Sequence, residues 1–418
     1  MSSTSDLLIV GAGPAGCAAA ILMSRAGWQV TLMERDLFPR QKVCGECVAG
    51  GNLELLDALG AGPEFRRLAG PELRQAGWLR AHQVARADMP RCDSTEYRFG
   101  RAIGRDRFDA MLLDQARAAG ATVLQPATAV AITGAPGRFR CEYSSGRPHD
   151  GTPSRAHATH SAAVVMDAHG SWDRGPRFGA QAGTREPPRC DSDLFAFKAR
   201  FLRSALEPGF LPVLAIDGGY GGMVVSDNDR TTVACCVRRD VLRRHRQSAP
   251  GASAGSTMEV LLRRSCNEVR RLLDGAERDG PWLSVGPIRP GLRLRPDDPL
   301  FRIGNAAGET HPLTGEGISM ALQSAALLAS ELRQIPPDAM TPGRHAEIQH
   351  RYNSAWRRAF GRRLLVAGGY AQIAMHPLVS RQVGALFHRW PQLLTQAASW
   401  AGKARSGYLV SYPNSVTP

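Results

Sequence analysis

The first clear pattern along the chain is a short apolar run, then a helix of small residues, then a second apolar run. Residues 7–10 have no polar position, which is typical of a strand buried on both faces of a parallel sheet. Residues 14–25 predict the helix, and residues 29–33 predict a second strand that ends on Glu34. The pattern therefore predicts a β-α-β unit at the start of the chain.

The turn between the first strand and the helix carries Gly11, Gly13 and Gly16 in the spacing G-x-G-x-x-G. The first glycine allows a tight turn, the second lets a pyrophosphate approach the backbone, and the third lets the helix pack close to the sheet. The helix N-terminus presents free N–H groups to the phosphates. Glu34 follows where a carboxylate can bind both ribose hydroxyls. The unit predicts a binding site for an adenine dinucleotide.

A second motif, FRIGNAAGETHPLTGEG, occupies residues 301–317. Asn305 places a hydrogen-bonding side chain at the end of a short strand, and residues 315–317 form a glycine-lined helix start. Such a helix start can hold the partly negative edge of a flavin ring through its N–H groups. Because the chain has no second G-x-G-x-x-G, the two motifs together favour FAD over NAD as the bound dinucleotide.

Between these motifs the pattern changes twice. Residues 103–119 predict an amphipathic helix with Phe108 and Leu112 on its apolar face. Short strands rich in aromatic and β-branched residues follow from about position 195, and residues 260–273 predict a single helix. We interpret this second block as an antiparallel sheet that forms one wall of a substrate pocket.

Composition narrows the class of protein. The 418 residues carry a net charge of +14, almost all of it from arginine, since lysine occurs only at positions 42, 198 and 403. No basic tail or zinc pattern supports nucleic acid as a partner. Nine cysteines without framework spacing indicate reduced thiols and no metal site.

The first strand begins within about six residues, which leaves no room for a signal peptide, so we expect a cytoplasmic protein.

Together, the motifs resemble the flavoprotein superfamily of aromatic-ring hydroxylases and geranylgeranyl reductases. In that superfamily the second motif reads Gly-Asp-Ala-Ala, then Pro, then Gly-x-Gly. This chain has Asn305 in place of the aspartate, which implies weakened flavin binding. It also has Ala168-His169-Gly170 where hydroxylases have Ala-Asp-Gly, which leaves open the route of reduction by NAD(P)H. The resemblance covers about residues 6–60, 100–170 and 285–335.

The resemblance implies FAD as cofactor and NAD(P)H as reductant. It places Arg105 at the ribityl and phosphate region, and the loop RQKVCGE, residues 40–46, close to the flavin ring. The residues expected to bind FAD are Gly11, Gly13, Pro14, Ala15, Gly16, Glu34, Arg35, Arg40, Cys44, Gly45, Arg105, Gly170, Gly304, Asn305, Pro312, Gly315, Glu316 and Gly317.

Three residues are candidates for catalysis: Cys44, Tyr220 and His311. Cys44 and Cys47 form a C-x-x-C that could be a redox pair, but flavin disulfide reductases use a longer spacer and a second dinucleotide fold. We therefore favour packing near the flavin. His311 could move protons near the ring, or it could simply bond the loop backbone. Tyr220, in GGYGG, either lines the pocket or is an ordinary tyrosine of a sheet turn.

Near the C-terminus, Tyr352, Trp356 and Phe360 form one apolar helix face with arginines at positions 351, 357, 358, 362 and 363 beside it. The simpler interpretation is a core stripe with solvated arginines. The alternative is peripheral contact with an anionic membrane.

The predicted fold is α/β, with a doubly wound, Rossmann-like three-layer FAD domain, an antiparallel substrate domain and C-terminal helices. We assign residues 1–75, 99–175 and 286–335 to the FAD domain. Residues 76–98 and 176–285 form the substrate domain, and residues 336–418 the helical region. The oligomeric state is left open.

The first hypothesis for function is a flavin monooxygenase that hydroxylates an apolar aromatic or polyketide-like molecule. The alternative is a geranylgeranyl-reductase-like enzyme that reduces C=C bonds of a prenyl or polyene lipid. The RQKVCGE loop favours the reductase, and the absence of Y-x-W-x-F-P disfavours it. Three alternatives remain: a flavin disulfide reductase, a halogenase and a non-catalytic flavoprotein. The W-x-W-x-I-P motif of halogenases does not occur in the chain.

Overall fold

The computed structural model describes residues 2–94, 96–145, 157–171, 175–178, 188–248 and 251–403. In these ranges the strands β1 to β20 are, in chain order, Ser2–Val10, Val30–Met33, Cys47–Val48, Gln75–Arg80, Gln83–Asp88, Arg101–Ala102, Thr122–Leu124, Ala127–Ala135, Arg138–Ser145, His157–Asp167, Arg177–Phe178, Leu194–Leu202, Phe210–Ile216, Gly219–Val225, Thr231–Arg238, Glu277–Arg278, Leu283–Ile288, Gly291–Leu292, Phe301–Arg302 and Gly308–Glu309. The helices α1 to α11 are Pro14–Arg25, Leu53–Ala58, Gly62–Leu68, Arg105–Ala118, Arg239–Gln247, Ala254–Ser265, Asn267–Leu272, Gly317–Leu332, Pro342–Met375, Pro377–Arg389 and Gln392–Ala398.

The first sheet contains the opening β-α-β unit at its centre. Its strand order is β11-β8-β9-β10-β1-β2-β7, and β19 pairs with β10. Strand β1 lies parallel between β10 and β2, so Leu7 is in register with Val164 on one side and Val30 on the other. Leu7, Leu8 and Ile9 are fully buried, as the unbroken apolar run predicted. Helices α1, α4 and α8 pack together over this sheet. The predicted α/β flavoprotein fold class is confirmed.

The second sheet is built mostly of antiparallel strands in the order β16-β12-β15-β14-β13-β4-β5, with β17 paired to β12. One face packs on α6 and α7, where Met223 and Val237 join Met258 and Leu261 in one core cluster. The other face carries Tyr220, which packs in a cluster with residues of α9 and α11. This second face is directed toward the functional site.

The helices that follow the strands of the second sheet differ from the sequence prediction in two places. The single helix predicted over residues 260–273 is broken at Cys266, which has an extended backbone. The break occurs because Cys266 forms a β-bridge with Ala81, and the N–H of Asn267 donates to the Ala81 carbonyl. Helix α5 was not predicted, because Val241 is its only buried residue and the rest is too charged to show an apolar period.

The C-terminal stripe needs one further correction. Tyr352, Trp356 and Phe360 are buried on one face of α9, as predicted. Arg363, however, is buried instead of solvated, with its guanidinium 3.0 Å from the Gln323 side-chain oxygen and 3.5 Å from Glu316. A buried arginine requires such partners, and these lie on and just before a different helix, so local sequence could not identify them.

Candidate functional site

One large cavity lies between the two sheets and brings the two sequence motifs together. It has an empty volume of about 1520 Å³, part of which is open to solvent. The predicted FAD-binding or catalytic residues in its lining are Gly13, Pro14, Ala15, Cys44, Gly45, Arg105, Gly170, Tyr220, Gly304, Asn305, Pro312, Gly315 and Gly317. Thus segments about 300 residues apart in sequence form one continuous surface.

The three glycines of the opening motif differ in the space around them, and two of them show the turn and the close packing that the spacing predicted. Gly11 has φ of +104°, and an added Cβ would lie 2.5 Å from the Ala168 carbonyl oxygen. At Gly16 an added Cβ would lie 1.8 Å from the Gly11 oxygen, so α1 can pack this close to the turn only because residue 16 has no side chain. At Gly13 an added Cβ would meet no protein atom within 4 Å. The cavity therefore has free space at the N-terminus of α1, where a pyrophosphate would lie.

The second motif contributes another part of this lining, and its Gly304 lies directly against Ala15 of α1. Asn305 donates from its side-chain nitrogen to the Ser171 hydroxyl at 3.2 Å. Gly315 takes φ of +62° just before α8, and Gly317 at the start of α8 has open space in front of it. The N-termini of α1 and α8 therefore both face this cavity. This arrangement fits FAD, with its diphosphate at α1 and its flavin ring at α8.

The residues expected at the adenine end lie beside the cavity. Both carboxylate oxygens of Glu34 accept backbone hydrogen bonds, from Ala12 N–H at 2.8 Å and from Asp36 N–H at 3.0 Å. The guanidinium of Arg40 lies 3.7 Å from Glu34, whereas Arg35 is exposed. The structure thus shows that Glu34 holds the α1 turn, and its contact with a ribose stays a prediction, as do those of Arg35 and Arg40.

Arg105 lies at the start of α4 and lines the cavity. Its guanidinium donates two hydrogen bonds to Asp109, at 2.7 and 2.8 Å. This carboxylate keeps the pKa of the arginine above its ordinary value despite burial, so the group stays cationic. A fixed cation here suits the region where the resemblance places the ribityl chain and phosphates.

A buried charge network, which the sequence did not predict, holds the Cys44 loop in place. Glu46, fully buried, accepts hydrogen bonds from the Arg105 N–H at 2.9 Å, from Arg200 at 3.0 Å, from Lys198 and from the Thr232 hydroxyl. Burial favours the neutral acid, but the cations of Lys198 and Arg200 outweigh it and lower the pKa of Glu46. The network ties the loop to α4 and to the second sheet.

The scarcity of lysine was the one sequence signal that could have identified this region. Lys42 lines the cavity, Lys198 bonds to Glu46, and Lys403 donates to the Gly315 carbonyl at 3.4 Å. Burial, and then the nearby Arg40 and Arg105, lower the pKa of Lys42 to about 8. All three lysines of an arginine-rich chain therefore lie around one site, where a compact ammonium differs chemically from a guanidinium.

Tyr220 and His311, predicted separately, are hydrogen-bonded to each other. The Tyr220 hydroxyl lies 3.1 Å from His311 Nδ1, and Tyr220 lines the cavity. Burial lowers the pKa of His311 and raises the pKa of Tyr220 well above its ordinary value. The imidazole is therefore neutral and the phenol protonated at neutral pH, which gives the cavity wall a proton donor with a partner behind it.

Glu316 is turned away from the cavity. Its carboxylate lies 3.1 Å from the Lys403 ammonium and 3.5 Å from the Arg363 guanidinium. These contacts join the start of α8 to the C-terminal helices. Binding of FAD by the Glu316 side chain itself stays a prediction.

Cys44 and Cys47 are both free thiols with separate contacts. Cys44 accepts from the Glu46 N–H at 3.3 Å, whereas Cys47 donates to the Gly45 carbonyl at 3.3 Å. Burial raises the pKa of Cys47 to about 12, so almost no thiolate forms at neutral pH. This disfavours redox chemistry by the pair.

We therefore expect Cys47 to resist alkylation in the folded protein. With iodoacetamide at pH 8, its labelling should be at least about a hundredfold slower than that of the exposed Cys190, because the thiolate is the reacting form. Peptide mass spectrometry measures both sites in one sample. Equal labelling rates, or a Cys44–Cys47 disulfide in air-purified protein, would contradict this interpretation.

The fold and the cavity define a flavoprotein of the dinucleotide-binding class. Residues 4–158 match the model of a family described as an FAD binding domain. Residues 4–158 therefore form an FAD binding domain, and the predicted resemblance to FAD-dependent oxidoreductases of the aromatic-ring hydroxylase and geranylgeranyl reductase superfamily is confirmed.

The chain is similar to proteins of three kinds: a reductase, a halogenase and a monooxygenase. A menaquinone reductase of Mycolicibacterium smegmatis is 26% identical over 429 residues, covering 96% of this chain and 92% of that protein. A tryptophan 2-halogenase of Chondromyces crocatus is 24% identical over 365 residues, covering 80% of this chain but only 62% of its own length. A solved structure of a probable FAD-dependent monooxygenase from Pseudomonas aeruginosa has a TM-score of 0.66 at 17% identity, covering 92% and 99% of the two chains.

Proposed function

We propose that this protein is an FAD-dependent monooxygenase that hydroxylates an apolar aromatic or polyketide-like molecule, with NAD(P)H as reductant. FAD, when bound and reduced, supplies the electrons by which one oxygen atom enters the substrate and the other leaves as water. The protein must supply the binding site, the orientation and a dry pocket.

The observation that carries this proposal is the wall that the second sheet contributes. The described lining residues from this sheet are Ala196, Phe197, Leu211, Pro212, Val213, Tyr220, Gly221, Gly222, Met223, Val224, Ala234, Cys235, Cys236 and Ile288, and none is charged. The charged residues of the described lining all lie outside this sheet: Lys42 and Glu46 on the Cys44 loop, Arg105 at the start of α4 and Glu309 on β20. An uncharged wall excludes water from the reacting end and binds an apolar substrate.

Isotope labelling tests this assignment. With FAD-loaded protein, NADPH or NADH and a panel of alkyl-substituted phenols, we expect substrate-stimulated NAD(P)H oxidation that requires oxygen. Under ¹⁸O₂ the product should contain one ¹⁸O atom, since one atom of dioxygen enters it. A product formed at the same rate under argon, or one without ¹⁸O, would rule out the monooxygenase.

A C=C reductase is the second candidate, supported by two observations. The menaquinone reductase relative aligns with almost the whole chain. The Tyr220 hydroxyl, backed by His311, also offers a proton donor at the cavity wall, and reduction of a C=C bond requires a proton as well as two electrons.

Anaerobic double-bond reduction by the wild type separates the two candidates, and the Tyr220→Phe variant then tests the proton donor. If the protein is a reductase, the rate of NAD(P)H-dependent double-bond reduction under argon should fall about a hundredfold, the usual contribution of a positioned acid. Tyr370→Phe is the matched control, because its half-buried hydroxyl bonds only to the Ala397 carbonyl outside the cavity. Unchanged anaerobic turnover in Tyr220→Phe would remove the proton-donor role.

A further inference from the structure

The C-terminal part of the chain is cationic throughout. The 71 residues at positions 348–418 contain nine arginines and lysines and no aspartate or glutamate. Elsewhere in the chain most arginines are paired with acids, for example Arg86 with Glu207 and Arg271 with Glu268. Acids from outside the segment pair with three of these cations, Arg351 with Glu331 and both Arg363 and Lys403 with Glu316. The exposed Arg381 and Arg389 lie in a region of net positive charge, which attracts anions.

The same segment exposes apolar side chains. Among the described residues, ten large apolar side chains are exposed, and six of them lie between positions 365 and 400. They are Leu365, Leu378, Val379, Leu386, Trp390 and Trp400. Leu378 is 68% exposed and Trp400 is 63% exposed, so these are not edges of core residues.

Helix α10 arranges these features on two opposite faces. Its inner face packs on the second sheet, with the Phe387 ring 5.6 Å from the Trp78 ring and Gly384 close against Gln83. Its outer face and Trp390, which directly follows the helix, are defined here as the α10 surface, which consists of Leu378, Val379, Arg381, Gln382, Leu386, Arg389 and Trp390. At 100° per residue the apolar side chains of the helix, at positions 378, 379 and 386, fall within an arc of about 100° that also contains Arg389, with Arg381 on the same side.

We propose that the α10 surface docks on an anionic lipid bilayer. The apolar side chains enter the headgroup and upper acyl region, Trp390 lies at the interface, and Arg381 and Arg389 pair with lipid phosphates. In the described part of the chain, the structure contains no helix long and apolar enough to cross a membrane. The proposed contact places α10 parallel to the membrane plane, because its apolar side chains lie along one side of the helix.

Charge decides between a bilayer and a second copy of this chain. A twofold dimer through this face would bring four arginines, Arg381 and Arg389 of both copies, into one interface, and no acid in the segment could compensate. An anionic bilayer supplies both the phosphates and the apolar medium. Docking in this orientation also brings the second sheet, which forms the substrate wall, next to the lipid.

Vesicle binding by the full-length FAD-loaded protein tests the proposal without any turnover, so its outcome is independent of the proposed function. With vesicles of phosphatidylcholine containing about 30% phosphatidylglycerol, we expect co-sedimentation at least tenfold stronger than with phosphatidylcholine alone. Raising NaCl to about 0.5 M should weaken binding, because salt screens the attraction. Equal binding to both vesicle types, or none to either, would overturn the proposal.

Two variants locate the surface. The double change Arg381→Glu with Arg389→Glu should lower binding to anionic vesicles at least tenfold, and Trp390→Ser should lower it several-fold. The control pair Arg246→Glu with Arg264→Glu makes the same charge change at exposed positions of α5 and α6 and should leave binding within twofold. Loss of binding in the control pair alone would show that another face docks. A vesicle-free dimer that Trp390→Ser dissociates would assign the surface to self-association instead.

Discussion

Gly13→Leu should give colourless protein that is still folded. The side chain would fill the space at the α1 N-terminus that a pyrophosphate needs, while an added Cβ meets no protein atom within 4 Å. We expect bound FAD, measured from the absorbance of the purified protein, to fall from near one per chain to below about a tenth of that value. Circular dichroism should show an unchanged secondary structure.

Gly361→Leu is the matched control for this change. Gly361 lies within α9, and an added Cβ there also meets nothing within 4 Å. This variant should stay yellow, because Gly361 is not among the described residues that line the cavity. If Gly13→Leu kept a full complement of FAD, the opening motif would not be the dinucleotide site.

Glu46→Gln should destabilise the protein strongly. The change removes the carboxylate that the buried Lys198 and Arg200 share, and an unpaired buried charge costs about 3–5 kcal/mol of unfolding free energy. Urea denaturation measures this difference at pH 7. Glu64→Gln, at an exposed pair with Arg67, is the control and should cause no measurable change. A loss below about 1 kcal/mol for Glu46→Gln would show that the network does not hold the loop.

The same carboxylate predicts the direction of a pH effect. The folded-state pKa of Glu46 is lowered below its ordinary value of 4.5, so the unfolded chain binds the proton more readily. The stability from this group is fully present above about pH 5.5 and is lost as the pH falls through 4.5 toward the lowered pKa. The difference in unfolding free energy between wild type and Glu46→Gln should therefore shrink on acidification. A constant difference from pH 7 to pH 4 would contradict the assignment.

Patterns that lie within one stretch of chain could be predicted from the sequence. The spacing of Gly11, Gly13 and Gly16 predicted a turn, a phosphate approach and a close helix contact. The structure shows the turn at Gly11, the close contact at Gly16 and free space at Gly13, where phosphate binding stays a prediction. The apolar run at residues 7–10 predicted a doubly buried strand, and β1 is central. Such features are readable because strand and helix periods determine which side chains share a face.

Contacts between distant segments could not be predicted in this way. Tyr220 and His311 were each singled out, but their hydrogen bond joins residues 91 positions apart. In the sequence, Glu46 was noted only as part of the RQKVCGE loop. In the structure it accepts hydrogen bonds from Lys198 and Arg200, which are 152 and 154 positions away. The break of the predicted helix at Cys266 likewise depends on Ala81, a residue of a separate segment.

The sequence by itself determined an FAD binding domain at the opening motif and predicted a second flavin motif, because both are local patterns of glycine, strand and helix start. Only the tertiary structure decided that these motifs line one cavity, that an uncharged sheet wall closes it, and that α10 presents arginines and apolar side chains outward. The physical reason is that backbone geometry sets the spacing within an element, whereas packing of the two sheets and the C-terminal helices sets which buried charges, proton donors and exposed faces come together.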